Sequence, residues 1–240
     1  MNSFELEITL RCNASCPMCN RMCNVIDHGP SDMTLDQVSE FVASVRSAGG
    51  ANIISVMGGE PTIHPEFKRI MALLHNELER TGLVRKLQVA TNGIVPIPDL
   101  GFAVNAIRRP PEQKKHRSSF IAPVDRKQKA KHCTVPRKCG MAVNRFGYSP
   151  CGPASAIARL FGIDGFVRDT MPKNHREFVG YEMKICPLCQ IHACQHIYGD
   201  PVPSRSYVGA FERYLASGGK PTKNILAHLA AAEKKKRSLS

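Results

Sequence analysis

Tryptophan is absent from this 240-residue chain, and aromatic residues of all kinds make up only 6% of it. No apolar run approaches the length that a membrane-spanning helix needs, so the bilayer is excluded as the expected home. The opening Met1-Asn2-Ser3-Phe4-Glu5 lacks the basic stretch and apolar core of a secretory signal peptide. These absences predict a soluble, cytoplasmic protein. Acidic residues are in deficit, with 20 Asp and Glu against 33 Lys and Arg, a formal net charge of +13. Such an excess suits an acidic partner (a nucleotide, a nucleic acid or an acidic peptide) or is simply solvated surface.

Cysteine, by contrast, is plentiful: the chain has ten. In a reducing compartment that many thiols read as metal ligands, whereas a secreted, disulfide-bonded protein is the bland alternative. A chain of this length buries one good core, with room for a small appendage held by something other than apolar packing. The expected divisions are a catalytic body over 1–130, a Cys-rich segment over 131–200 and a C-terminal helical segment with a basic tail over 201–240.

Hydrophobic periodicity orders the first hundred residues. Phe4, Leu6, Ile8 and Leu10 alternate with Glu5, Glu7 and Thr9, the period of a half-buried strand. Thr34 and Gln37 form a capping box ahead of a helix carried by Leu35, Val38, Phe41, Val42 and Val45, which Gly49 and Gly50 stop. A second strand runs over 52–57. A helix over 65–80 follows, with Phe67, Ile70, Met71, Leu74 and Leu78 inward, and then a third strand over 84–91. Alternating strands and helices imply parallel pairing with right-handed crossovers, hence successive βα units of an open or closed barrel. Functional loops then gather at the C-terminal strand ends. After Gly93 prolines interrupt the pattern and the segment 108–117 is basic, with one more strand expected over 119–124. Helical stretches are expected over 208–216 and 223–232, ending in a frayed Lys234–Arg237 tail.

Just past the first strand, Cys12, Cys16 and Cys19 stand in CxxxCxxC spacing. Three thiolates on one loop can grip three irons of a four-iron four-sulfur cubane and leave the fourth open to an incoming molecule, whereas a ferredoxin would supply a fourth thiolate. Cys23, four residues on, is either a bystander, a closing ligand or part of a zinc site. Gly58-Gly59-Glu60-Pro61 ends the second strand; its plain reading is a βα turn with a first-turn carboxylate. Thr91-Asn92-Gly93 ends the third, where a turn alone also explains it.

The triplet followed by Gly58-Gly59-Glu60-Pro61 resembles the radical S-adenosylmethionine (SAM) superfamily. The resemblance implies a shortened, partial TIM-like α/β barrel with a small Cys-rich C-terminal cluster domain. It also implies a [4Fe-4S] cluster on Cys12, Cys16 and Cys19 whose open iron chelates the methionine moiety of SAM. Gly58, Gly59, Glu60 and Pro61 would lie against its ammonium, and Asn92 near the cofactor or substrate. Met18 stands where the family commonly has an aromatic residue. Reductive cleavage of SAM to a 5′-deoxyadenosyl radical, hydrogen abstraction from a substrate and a reductant such as flavodoxin or ferredoxin are the implied activity and partner.

A second cysteine group comprises Cys133, Cys139, Cys151, Cys186, Cys189 and Cys194. The run from Cys139-Gly140 through Asn144–Pro150 to Cys151 resembles the start of the auxiliary-cluster domains called SPASM and twitch. That likeness implies one auxiliary [4Fe-4S] cluster on Cys139, Cys151, Cys186 and Cys189, with Cys133 or Cys194 as substitutes. A structural zinc site using CxxC and distant thiolates, or His192 and His196, is the alternative. Modification of a peptide, protein or other bulky substrate is the leading function. A glycyl-radical activase is a second expectation. A zinc-dependent nucleic-acid-binding protein is a third, although few aromatics interleave with the basic residues to stack bases. The substrate itself, the outcome after hydrogen abstraction and the oligomeric state leave no mark in the sequence.

Overall fold

The computed structural model describes residues 2–16, 19–108, 133–189 and 202–238. The expected strand over 119–124, most of the basic 108–117 segment, Met18, Cys194, His192 and His196 lie outside the described residues. So does the boundary expected near residue 130.

The fold is mixed α/β around one six-stranded sheet. Strands β1 (Ser3–Thr9), β2 (Ala51–Gly58), β3 (Val84–Thr91) and β4 (Asn105–Arg108) lie side by side in chain order, all parallel. Strand β5 (Met141–Asn144) joins the free side of β1, also in parallel, and β6 (Gly147–Ser149) returns antiparallel to it. The chain on either side of residue 130 therefore shares one sheet. Parallel neighbours need crossovers, and helices α1 (Leu35–Ser47) and α2 (Phe67–Leu74) supply the first two. The Thr34 capping box closes as expected: its hydroxyl accepts from the Gln37 N–H and the Gln37 side chain accepts from the Thr34 N–H. The helix expected over 65–80 begins at Phe67 and finishes in a π-type turn, His75–Glu79, which keeps Leu78 buried with Ile70, Met71 and Leu74.

One face of β1 packs Phe4, Leu6 and Ile8 under these helices, with Phe4 edge-on to Phe41. The other face departs from the half-buried expectation: Glu5, Glu7 and Thr9 are buried as well. Helix α4 (Gly152–Phe161) covers that polar face, and α6 (Arg205–Ala216) packs on α4 through Phe161 and Tyr207. Helix α7 (Lys223–Arg237) packs on α6, and its last turn includes Lys234–Arg237. The tail expected to fray is helical there, because four cations complement the negative end of the helix dipole. The short helix α3 (Val135–Lys138) precedes β5, and the short helix α5 (Tyr181–Lys184) lies between α4 and α6 in the chain. Among the described residues no helix is long and apolar enough to cross a membrane.

Candidate active site

The C-terminal ends of β1, β2 and β3 converge. Gly58 has φ +134°, a conformation L side chains rarely adopt, and a Cβ there would stand 2.0 Å from the Thr9 carbonyl oxygen. A Cβ on Gly59 would stand 2.0 Å from the Arg11 carbonyl oxygen. Only glycines let the end of β2 run this close beneath the cysteine loop, where the Gly59 N–H donates to Thr9 and the Glu60 N–H to Arg11.

Glu60 is fully buried and holds three segments together. Its carboxylate accepts from the Thr62 N–H (3.1 Å) and hydroxyl (2.6 Å), the Thr91 hydroxyl (2.8 Å) and the Asn92 N–H (2.7 Å). With those donors already in place, the Glu60 side chain acts as a staple, and what the segment can offer a cationic ligand is backbone. Asn92 extends the staple to the cysteine loop: its side-chain amide donates to Asn13 Oδ1 at 2.7 Å and lies 3.8 Å from Cys12 Sγ. On the far side Arg11 makes a two-pronged contact with Asp32, which also accepts from the Thr9 hydroxyl. Pro61 is buried at the start of a short 3-10 turn.

Cys12, Cys16 and Cys19 are all half-buried on this loop. Burial pushes the Cys12 thiol up to about 11, with Cys19, Glu60 and Cys16 adding repulsion against one N–H from Ala14. Burial and Cys19 also raise Cys16. Cys19 goes the other way, to about 6: the Cys23 thiol donates to it, and backbone N–H groups of Cys23 and Arg21 and the Arg21 charge reinforce that against burial. Cys23 is thus a buried hydrogen-bond donor to Cys19, and that bond together with burial raises its own thiol well above the ordinary range. Three sulfurs gathered on one loop, two of them held protonated by burial and by their neighbours, are a donor set whose thiolates a multivalent cationic centre would stabilise, so these residues fit an iron-sulfur cluster. A cavity of about 390 Å³ adjoins the loop, bounded in part by Cys12, Cys23, Arg11, His28, Lys220 and Lys223.

Below the loop lies an ion lattice that sequence reading missed. Arg21 is buried, with Nε 2.9 Å from Glu7 and Nη2 2.7 Å from Glu5. Although burial works against its charge, Glu5 and Glu7 hold the guanidinium proton more tightly than usual. Asn144 donates to the second Glu7 oxygen at 2.8 Å, and the Gly152 N–H to Glu5 at 3.3 Å. Two glutamates spaced for one strand face were the available signal, since buried carboxylates need a cation. Helix α7 straps the loop from outside: Asn224 donates to the Cys16 carbonyl and Thr222 to that of Val25.

Residues 6–102 match the family model described as the Radical SAM superfamily. The match covers about two fifths of the chain. A probable GTP 3′,8-cyclase of Methanococcus maripaludis is 30% identical over 40% of this chain and 30% of that protein. A SAM-dependent nucleotide dehydratase of Selenomonas ruminantium is 32% identical over 37% of this chain and 29% of its own length. The chain thus spans less than a third of the curated relatives it matches. Among solved structures, BtrN in complex with AdoMet and 2-DOIA aligns at 14% identity and TM-score 0.46, covering 64% of this chain and 74% of that one. SuiB of Streptococcus suis bound to SAM aligns at 17% identity and TM-score 0.30, covering 41% of this chain and 20% of that one. The triplet, the Gly58–Pro61 segment and Asn92 all fall inside the matched residues.

The second cysteine group assembles differently from its expected membership. Cys133, Cys151, Cys186 and Cys189 line one narrow apolar cavity of about 20 Å³, walled by Val135, Pro136, Tyr181 and Ile185. Cys139 is exposed at the end of α3 instead. The next residue, Gly140, presses so closely on β1 that a Cβ would stand 1.8 Å from the Ser3 carbonyl oxygen, which fixes the chain there and leaves Cys139 outside. Burial pushes the Cys151 thiol well up, with Cys189, Glu5 and Cys133 adding to it. Four thiols without carboxylate or imidazole suit an iron-sulfur cluster or zinc alike. The void is smaller than a cubane, so its walls would have to part for a cluster to be held there. Among the described residues no three His, Cys, Asp or Glu side chains already close around a single metal ion.

Proposed function

We propose that this protein is a radical enzyme whose N-terminal loop holds a [4Fe-4S] cluster through Cys12, Cys16 and Cys19. Bound there, cluster and SAM would supply reductive cleavage of the sulfonium and a 5′-deoxyadenosyl radical that takes hydrogen from the substrate. The observation that carries the reading is the union of three strand ends at one place: Gly58 and Gly59 run under the loop, and Glu60 and Asn92 tie it to β3. In this arrangement the Cys23 thiol donates to Cys19, and backbone groups of residues 58–61 would be the acceptors for the cofactor's ammonium. The described sheet serves as the shortened barrel, and Cys133, Cys151, Cys186 and Cys189 hold a second, fully ligated cluster in a Cys-rich segment.

The substrate is a peptide, protein or other bulky molecule, a reading that rests on the likeness of the Cys-rich segment to SPASM and twitch domains. A nucleotide is the second reading, favoured by the likeness to a probable GTP 3′,8-cyclase and a SAM-dependent nucleotide dehydratase. Anaerobically reconstituted protein should form 5′-deoxyadenosine from SAM and dithionite, and Cys16→Ala should abolish it. A variant that still forms the product contradicts the assignment of the triplet. Stimulation by nucleoside triphosphates, and not by peptides, would decide for the second substrate reading.

A further inference from the structure

A polar cavity of about 390 Å³ opens where β1, β2 and β5 begin, at the N-terminal end of the sheet. The cysteine loop leaves the other end of β1, roughly 20 Å away at ~3.3 Å per residue, so this is a separate place. Arg137 from α3 lines the cavity together with His175 and Arg176 from a distant segment, and no carboxylate among the described residues does. The cations act on one another there. Burial first, then the Arg176 charge, with Arg137 adding to them against Glu182, hold the His175 imidazole below its ordinary range. Glu177, the acid next to Arg176 in the chain, is committed elsewhere: it pairs with Arg168 at 3.3 Å and accepts from the Lys173 N–H at 2.9 Å.

Cations gathered in one cavity without a carboxylate suit an anion, and two guanidinium forks beside an imidazole suit phosphate. A phosphate monoester carries close to two charges, where a carboxylate brings only one. The remaining wall is polar and supplied by side-chain amides. Asn2 donates to the Lys173 carbonyl at 2.6 Å, and Asn174 Oδ1 accepts from the Arg176 N–H at 3.0 Å. These bonds fix both side chains and leave Asn2 Oδ1, the Asn174 NH2 and the Asn52 amide for a ligand. No Phe, Tyr or Trp lines the cavity among the described residues, so hydroxyl groups suit it better than a base that needs stacking. The volume is that of a small-molecule site.

We propose that this cavity is a second ligand site that binds a small sugar phosphate, with Arg137 and Arg176 on the phosphate and Asn2, Asn52 and Asn174 on the hydroxyl groups. Binding is non-covalent and independent of the iron-sulfur chemistry proposed above. A ligand held there ties Arg137 and residues 174–176 to the starts of β1 and β2. It reinforces a joint that the Asn2–Lys173 bond and the Asn52 N–H, donating to the Asn2 carbonyl at 2.7 Å, already make.

The full-length protein, as purified and after reconstitution with iron, is titrated by calorimetry with ribose 5-phosphate, inorganic phosphate and ribose at one ionic strength. Ribose 5-phosphate should bind at least about tenfold more tightly than inorganic phosphate, and ribose alone should give no signal. Arg137→Gln/Arg176→Gln, at two exposed positions, should weaken ribose 5-phosphate by about tenfold or more. Asn52→Ala should lower its affinity toward that of inorganic phosphate and leave inorganic phosphate binding as it was. In the unaltered protein the His175 imidazole resonances, assigned with His175→Gln, should titrate at higher pH once ribose 5-phosphate is bound, because an adjacent dianion favours imidazolium. Equal affinity for inorganic phosphate and ribose 5-phosphate overturns the proposal, leaving an adventitious ion only. Full binding in the double arginine variant overturns it too, as does a phosphopeptide that binds more tightly than ribose 5-phosphate and is lost in that variant. A His175 titration that ribose 5-phosphate leaves unmoved contradicts it without recourse to any binding-site variant. None of these outcomes depends on whether SAM is cleaved.

Discussion

The guanidinium of Arg21 occupies the space beneath Gly152 that any larger residue would need: a Cβ there would stand 2.5 Å from Nη2. This contact joins the segment after the first cysteine triplet to the helix that follows Cys151. The two thiol groups, far apart in sequence, are thereby fixed to the same pair of strand carboxylates, Glu5 and Glu7.

Arg21→Met leaves both carboxylates buried without their cation, and loss of one partner from a buried pair costs about 3–5 kcal/mol. A urea unfolding curve should show a loss of that size. Arg21→Met/Glu5→Gln/Glu7→Gln should recover part of it, because neutral amides need no counter-charge. Gly152→Ala should resemble the single Arg21 variant, since its methyl group displaces the guanidinium.

Glu60→Gln places an amide NH2 among donors. A buried donor left without an acceptor costs roughly 1–3 kcal/mol, so stability should fall by that amount. Amide exchange at Asn92 should accelerate, since its N–H loses the carboxylate that receives it. A variant with wild-type protection at Asn92 would show that the staple does not hold β3 to the loop.

Burial and the nearby Arg159 bring the His28 imidazole down to about 4. Between about pH 6.5 and 4 the unfolded chain takes up a proton that the folded chain refuses, so stability falls as pH drops through this window. The slope from one such group is at most about 1.4 kcal/mol per pH unit. His28→Gln should reduce the slope measured by urea unfolding at pH 4, 5, 6 and 7. His64, shifted in the same direction by burial, should maintain a remainder.

Iron content separates the cysteines of the second group. With two clusters the reconstituted protein should hold about eight irons, and Cys133→Ala should hold about four. Cys139→Ala should retain the full complement, because that residue stands outside the cavity. The opposite pattern would restore Cys139 to the ligand set, and zinc recovered after purification under metal-limited conditions would replace the second cluster with a zinc site.

The local signals in the sequence carry through wherever a short-range rule governs. The Thr34 capping box, the inward stripe of Phe67, Ile70, Met71 and Leu74, and the alternation of β1 all correspond to elements of the fold. What depended on distant chain segments was not legible. Nothing near Glu5 or Glu7 announces Arg21, and the pairing of β5 with β1 joins residues more than 130 positions apart. Short β4 and the Ala-rich α4 lacked the length or contrast that periodicity needs. In the candidate site the glycines stood out in the sequence, but their close approach to the Thr9 and Arg11 carbonyls did not. That Cys133 lines the cavity while Cys139 stays exposed goes with the tight passage of Gly140 beside β1, which spacing between cysteines does not encode.

The most direct test of an open iron at the N-terminal loop is electron-nuclear double resonance on the reduced, reconstituted protein with SAM labelled with ¹⁷O in its carboxylate. Strong hyperfine coupling to the label, lost in Cys16→Ala, is the predicted result. A cluster spectrum unchanged by SAM and without ¹⁷O coupling would contradict the account.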